Sequence, residues 1–379
     1  MRYNLVIVGN GFDLAHGMRT GYKDFIKHLV DCYCEKGHYS DLFNFDKEIK
    51  DYNDLINKIS IGKFEGLLVN DYEYWNSYDP RFKAYLTEID TLTFKNPLVS
   101  ELLEDLSLQN WCDIEEKYFE LLISTKINSP FSNRPEFLNK HFKQLKECLE
   151  EYLISQENIA KPLDGYKNFF NQINKNGTLI LNFNYTHTLE NLYNDETSNT
   201  KIIHIHGETN NLNNPIIFGY AALDNESRDL LARNNNEYLR YIKKHLYKRT
   251  DNEYKLSEFL NGNKSIYISI LGHSCGLSDN LILNQILNHD NIECRERSIR
   301  VFYYNEYEKY RDILVNIDRI MNEDKRFRSL IIDFENTDRM PQYDDKEIIK
   351  PDFYKFTNSI TMYYQNERTY YNNLKNAFY

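Results

Sequence analysis

No stretch of this sequence approaches the ~18 consecutive apolar residues of a membrane span, so no transmembrane helix is expected. Positive charge is also short. Lys and Arg number 46 against 57 Asp and Glu, for a formal net charge of −11. Broad electrostatic binding to DNA or RNA needs clustered positive charge, so this composition argues against it. The densest basic run, KHLYKR at 244–249, reads either as a local patch or as a solvated helix face. The six cysteines, Cys32, Cys34, Cys112, Cys148, Cys275 and Cys294, form no C-x-x-C pair, which argues against a zinc ribbon. Scattered thiols fit a reducing compartment. The first apolar run, Leu5–Val8, is too short for a signal-peptide core, and the protein is expected in the cytoplasm. There is no internal repeat and no long Pro/Gly/Ser linker.

What is present is a large apolar fraction, with 31 Tyr and 22 Phe supplying much of a sizeable core. Short apolar runs recur and end in small or polar residues. They are Leu5–Val8 before Gly9-Asn10-Gly11, Thr178–Leu181 before Asn182, Ile202–Ile205 before His206-Gly207, Ile266–Leu271 before Gly272, and Ile299–Tyr304 before Asn305. Pro215–Phe218 is a candidate sixth, and Ser329–Phe334 reads as a further strand. Runs this short and rich in Ile, Val and Tyr read as strands buried on both faces. Segments of helical period separate several of them, which predicts an α/β protein with a largely parallel, Rossmann-like sheet. The core is then 1–19 and 176–335, with a charged helical insertion at about 226–260. Residues 20–175 form a helical insertion too long for a crossover, and 336–379 stay unassigned. Helical spacing shows at Tyr22, Phe25, Ile26, Leu29 and Tyr33, and again from Phe137 to Leu153. The stretch 305–324 reads as another helix.

Parallel sheets take their ligands beyond the carboxyl ends of the strands, which is where the chemistry-bearing residues fall. Gly9-Asn10-Gly11-Phe12-Asp13 lies between a strand and a helix, where glycines let backbone approach a phosphate. It is not a full G-x-G-x-x-G fingerprint, because Leu14 stands at the third glycine. Asp13 would repel a phosphate, so it is either a helix cap or a partner for ribose hydroxyls. Asn182 and Asn184, on alternate positions, project to one side and can hold a ribose, an amide or a water, or else tie a turn. His204-Ile205-His206-Gly207 places His206 at the strand end, where an imidazole can accept a proton near neutral pH. A core, hydrogen-bonded role suits His204 better. An H-x-H pair can also bind metal, but no second cluster has ligand-like spacing, and no metal is expected. Gly272-His273-Ser274 with Asp279 can hold a ribose or phosphate, or form an ordinary turn with Asp279 at a helix start. The run Trp111-Cys112-Asp113-Ile114-Glu115-Glu116 is compatible with helix capping or with a functional role.

The opening VIVGNGFDLAHGMRTGYKDF resembles the start of the AbiH family of phage abortive-infection proteins. The segments NWCDIEEKYFELL, LILNFNYTHTLE, IIHIHG and ILGHSCGLSD fit the same family in the same order and span residues 6–279. The last three are also similar, remotely and over the sheet alone, to the sirtuin order of Asn motif, His-Gly and Gly-x-Ser. That resemblance implies NAD as substrate and cleavage of its nicotinamide–ribose bond, and several bacterial antiphage members of the sirtuin-like group destroy NAD. It implies Asn184 near the reacting ribose, His206 as the catalytic histidine, and Gly9 and Gly11 in the first loop. Gly272 and Ser274 become cofactor contacts. With Asn10, Asp13, Asn182, Thr186, Gly207, His273 and Asp279 these complete the candidate binding set. Two departures stand out. The sirtuin pattern has an Asp where this chain has Thr186, which bears on hydrolysis rate, and the four-cysteine zinc module is absent. The second argues against protein deacetylation.

The expectation is therefore an antiphage protein that hydrolyses NAD to nicotinamide and ADP-ribose. The alternative is a non-catalytic nucleotide-sensing module that gates a partner or recognises a phage protein; a third is another nucleotide hydrolase on the same sheet. Expected partners are NAD or a related nucleotide and a phage-derived trigger. The aromatic-rich helical insertion is the reason to expect a homo-oligomer.

Overall fold

The computed structural model describes residues 3–37, 42, 48–58, 97–104, 111–124, 135–173, 177–198, 200–221, 235–263, 265–292, 298–322 and 326–346. In chain order the elements begin with β1 (Tyr3–Val8), α1 (Asn10–Ala15), α2 (Tyr22–Lys36), α3 (Pro97–Glu104), α4 (Trp111–Ser124), α5 (Pro135–Glu157) and α6 (Asp164–Ile173). They continue with β2 (Thr178–Asn182), α7 (Thr188–Thr197), β3 (Lys201–His204), α8 (Lys243–Leu246), α9 (Asn252–Gly262) and β4 (Ile266–Leu271). The last are α10 (Asn280–Leu287), β5 (Ile299–Phe302), α11 (Tyr307–Met321) and α12 (Phe327–Leu330). The chain divides into two compact units, one of residues 1–20, 153–221 and 242–379, the other of 21–152 and 222–241.

The first unit is built on a five-stranded sheet, all parallel, in the order β3-β2-β1-β4-β5. Side chains alternate between its faces, and both faces are covered. Leu5, Ile7, Leu179, Leu181, Ile268 and Ile270 pack with Leu256 and Leu260 of α9, Ile282 and Ile286 of α10, and Ile317 of α11. Val6, Val8, Ile180 and Leu271 face the other way, onto Phe12 of α1, Tyr166, Phe169 and Phe170 of α6, and Tyr193 of α7. The register aligns the strand ends in one row: Val8 beside Asn182 and Leu271, Asn182 beside His204, and Leu271 beside Phe302. Chain order reverses between β1 and β4, the position where such sheets open a crevice.

The second unit is helical within its described residues. Tyr118 of α4 stacks on Phe142 of α5 at 4.0 Å, and the Tyr22 hydroxyl of α2 donates to Leu102 O at 3.1 Å. The Trp111–Glu116 motif opens α4, where Ile114 and Glu115 are buried. The side chains of 111–113 lie outside the described residues.

Two expected strands are not strands. Pro215–Phe218 runs without a ladder: Pro215 has no N–H, and Ile217 N donates singly to His206 O at 2.6 Å. Ser329–Phe334 is divided between the single turn of α12 and a short 3-10 turn at Phe334–Asn336. Arg326 O takes the N–H groups of Ser329 and Leu330 and so winds the first half. Ile332 N still reaches Ile299 O at 3.0 Å, covering the β5 edge. β5 itself stops at Phe302, before Asn305 turns to φ 64°. In the expected insertion at 226–260, residues 226–234 lie outside the described residues, and Tyr247, Leu256 and Leu260 belong to the sheet core. In the C-terminal segment, 347–379 lie outside the described residues.

The β1–α1 turn and the loop after β4 cross in backbone contact. Gly9 N donates to Leu271 O at 3.0 Å and Gly11 N to Gly272 O at 2.8 Å. Gly272 has φ 68°, and a Cβ there would lie 2.4 Å from Phe12 N. Gly272→Ala therefore combines left-handed strain with a backbone clash and is expected to cost about 2 kcal/mol or more. A denaturant unfolding midpoint matching the unsubstituted protein would contradict this packing.

Candidate functional site

All thirteen residues singled out at the strand ends lie in the first unit, on one edge of the sheet. They fall into two groups. The first surrounds the ends of β1 and β2. Asn182 Oδ1 accepts the Asn184 N–H at 3.0 Å, closing the turn that carries Asn184 beyond the strand row. Asn184 Nδ2 donates to Gly9 O at 3.1 Å, which ties β2 to the first loop. Thr186 Oγ1 donates to Asp13 Oδ2 at 2.6 Å, and Thr188 Oγ1 lies 3.2 Å from Thr186 Oγ1. Asp13 Oδ1 is buried with no hydrogen-bond partner. Burial drives the Asp13 carboxyl up to about 6, against the hydroxyls of Thr186 and Thr188. Asn10 turns elsewhere: its Oδ1 accepts from Thr20 Oγ1 at 2.6 Å and its Nδ2 donates to Thr20 O.

The second group joins the ends of β3 and β4. His206 Nε2 lies 3.1 Å from Asp279 Oδ1 and 3.0 Å from the Tyr247 hydroxyl. His273 Nε2 faces Asp279 Oδ2 at 3.4 Å, and Lys243 Nζ lies 3.2 Å from Asp279 Oδ1. Burial alone would raise the Asp279 carboxyl; Lys243 and His206 outweigh it and hold it well below the usual carboxylate range. Burial lowers the His206 imidazole, with Asp279 working in the opposite direction. The Phe183 ring stands between the histidines, 5.0 Å from His206 and 4.3 Å from His273. Gly207, at φ 77°, turns the chain where a Cβ would meet Pro215 O. Ser274 is exposed, and its backbone carbonyl accepts from Asn316.

Among the described residues no hydrogen bond joins Asn184 to His206. A third group links to Asn184 through the backbone. His204 Nδ1 donates to Asn184 O at 3.0 Å, and His204 Nε2 pairs with Glu190 at 2.7 Å. Burial would lower His204, but Glu190 raises it above its ordinary value. His187 lies between Glu157 and Glu208, and chiefly through its bond to Glu157 it rises to about 9. No group of three or more His, Cys, Asp or Glu among the described residues has the arrangement of a metal site.

Lys243 and Tyr247 are the residues that sequence reasoning missed. Both belong to a charged helical stretch in which nothing distinguishes a buried lysine from an exposed one. Tyr247, Lys248 and Arg249 form a short 3-10 turn; Lys248 and Arg249 of the basic run are exposed, whereas Tyr247 turns inward to His206.

Asp13 yields a stability prediction with a definite sign. From its ordinary value of 3.8 up to about 6, the folded protein binds a proton that the unfolded chain has released. Stability therefore falls as pH rises through that window, and the full cost of the buried charge is present above it. Asp13→Asn keeps an acceptor for Thr186 and removes the charge. It is expected to stabilise the fold at pH 7.5 by roughly 1–3 kcal/mol and to leave it little changed near pH 4. Thermal unfolding at both pH values checks this, and a loss of stability at pH 7.5 would contradict it.

No described helix is long and apolar enough to cross a membrane. A family model for bacteriophage abortive infection AbiH matches residues 5–304, most of the chain. No curated protein matches it. The matched span contains β1 to β5 and every residue of both groups at the sheet edge, and the chain belongs to the AbiH family of bacteriophage abortive infection proteins.

Proposed function

We propose that this AbiH protein acts in abortive infection by hydrolysing NAD to nicotinamide and ADP-ribose at the carboxyl edge of its sheet. The observation that carries the reading is the convergence of Asn184, Asp13 and the Gly9 loop beside the β1/β4 reversal, with His206 on the same edge. This is where a sheet of this order receives a dinucleotide. The remote likeness to the sirtuin order supplies the choice of NAD.

In this reading the bond between ribose C1′ and the pyridinium nitrogen breaks, its electron pair leaving with nicotinamide. The ribose becomes oxocarbenium-like, and a water oxygen bonds to C1′ while a proton passes to His206. Asn184 is anchored through Nδ2 on Gly9 O, and its Oδ1 orients the water. The Asp13 carboxylate suits ribose hydroxyls and offsets developing positive charge. Gly9, Gly11 and Gly272 bring backbone to the pyrophosphate side. Asn184 and His206 are each only 6 % exposed, so admission of substrate requires the surrounding loops to part. A phage-derived trigger that opens them would couple activity to infection.

The test incubates purified protein with NAD, ADP-ribose and ATP and resolves the products. Nicotinamide release is expected from NAD. Asn184→Ala and His206→Ala are each expected to lower it on the order of a hundredfold or more while leaving the fold intact. His204→Ala should lower the melting temperature more than the turnover, since both its ring nitrogens are bonded. Full activity in folded His206→Ala protein overturns the catalytic assignment. NAD binding without product identifies a sensing module instead, and phosphate release from ATP identifies a different hydrolase.

A further inference from the structure

Asp279 ends the 3-10 turn Leu277–Asp279 and precedes α10. Its carboxylate receives three nitrogens: Lys243 Nζ, His206 Nε2 and His273 Nε2. An ionised carboxylate only accepts hydrogen bonds, so each of these nitrogens must present a hydrogen. Lysine always does. For His273 the other ring nitrogen settles the matter: Nδ1 accepts the Cys275 N–H at 2.9 Å, so the single hydrogen of the neutral ring sits on Nε2. His206 faces the same carboxylate through Nε2, with the Tyr247 hydroxyl beside it. A neutral His206 then carries its lone pair on Nδ1.

We propose that Asp279 is the positioning residue of His206, fixing the ring with its hydrogen on Nε2 so that Nδ1 is the proton-accepting atom, while Lys243 on the same carboxylate opposes protonation of the ring. The tautomer rests on the contact of His206 Nε2 with the ionised Asp279; its catalytic consequence rests on the NAD-cleaving reading. In that reaction the water proton moves to Nδ1 as the water oxygen bonds to C1′ and the C1′–N electron pair leaves with nicotinamide. The imidazolium so formed is stabilised across the ring by Asp279, and the proton is later released to solvent.

A plain structural ion pair would need only Lys243 and Asp279. The two histidines on the remaining acceptor positions make the carboxylate an orienting group as well. The titratable groups facing His206 are Asp279 and His273 from the β4–α10 segment, and Lys243 and Tyr247 from α8 and the turn after it. Tyr185 faces it from beyond β2, with its ring 6.2 Å away, and His204 and Glu208 share its own segment. Asp279 draws protons to the ring, whereas the Lys243 ammonium repels them. Removing either charge therefore moves the ring in a known and opposite direction.

The experiment labels histidine with 15N in the full chain and identifies the His206 signals by their loss in His206→Asn. At pH 7.5 the expected result is a protonated Nε2 and an unprotonated Nδ1. Asp279→Asn is expected to move the His206 titration to lower pH, and Lys243→Met to higher pH, each by about half a unit or more. The acidic limb of nicotinamide release should move with them, which a merely structural role would not produce. If Asp279→Asn does not fold, the wild-type tautomer and Lys243→Met decide. The opposite tautomer, or two variants that shift the titration the same way or not at all, overturns the proposal. Wild-type protein that releases no nicotinamide defeats the NAD reading, while the spectra still decide whether Asp279 sets the ring.

Discussion

The edge of the sheet depends on a backbone crossing that only glycine permits. Gly11 N donates to Gly272 O, and the atoms around Gly9 and Gly272 leave no room for a Cβ. Once the β1–α1 turn is locked against the loop after β4, Gly9 O faces β2 and receives Asn184. Asp13, four residues beyond Gly9 and inside α1, is carried to Thr186 by the same turn. His273 packs directly above Gly9 and faces Asp279. The glycines first suggested a phosphate cradle. In this packing the Gly11 N–H is already used by Gly272 O, so part of their work is to let two chain segments touch.

Two buried carboxylates at this edge are treated in opposite ways. Asp279 is surrounded by an ammonium and two imidazoles and stays ionised. Asp13 has no cation beside it, only neutral donors such as the Thr186 hydroxyl, and burial pushes it toward neutrality. Carboxyls whose environments drive them apart can serve as fixed charge and as proton acceptor within one site. Asp279 has the character of the fixed charge. Asp13, raised by burial to about 6, is the carboxyl that changes charge near neutral pH.

The strands were readable because Ile, Val and Leu runs buried on both faces need no periodicity to stand out. Four of them end one residue or less from the ladder's own ends. The helices α2 and α5 followed from apolar spacing. Pro215–Phe218 and Ser329–Phe334 misled because short apolar runs also occur where a chain merely lines a core; nothing local tells such a lining from a paired strand. At the site, glycine, asparagine and histidine at strand ends announced themselves by position. Asp279 was visible as a helix-start acid, but its service to His206 was not, because that depends on a chain crossing between the ends of β3 and β4. Lys243 and Tyr247 were invisible for the same reason: their burial is a tertiary fact.

The third group shows how the site's backbone is held as well as its side chains. Glu157, Glu190 and Glu208 come from three separate segments and would repel one another if unpaired. His187 and His204 lie among them with acceptors on both ring nitrogens, an arrangement that calls for the imidazolium form. Two cations thus balance most of three anions, and Glu157 and Glu208 both lie below their ordinary range as a result. The second hydrogen of His204 goes to the carbonyl of Asn184. The Asn184 backbone is therefore fixed from one side by a charged ring, and its side chain is fixed from the other by Gly9. In the proposed NAD-cleaving reaction, where Asn184 orients the water, such a double constraint helps, because an angular freedom removed in the folded state need not be lost again when ligand binds.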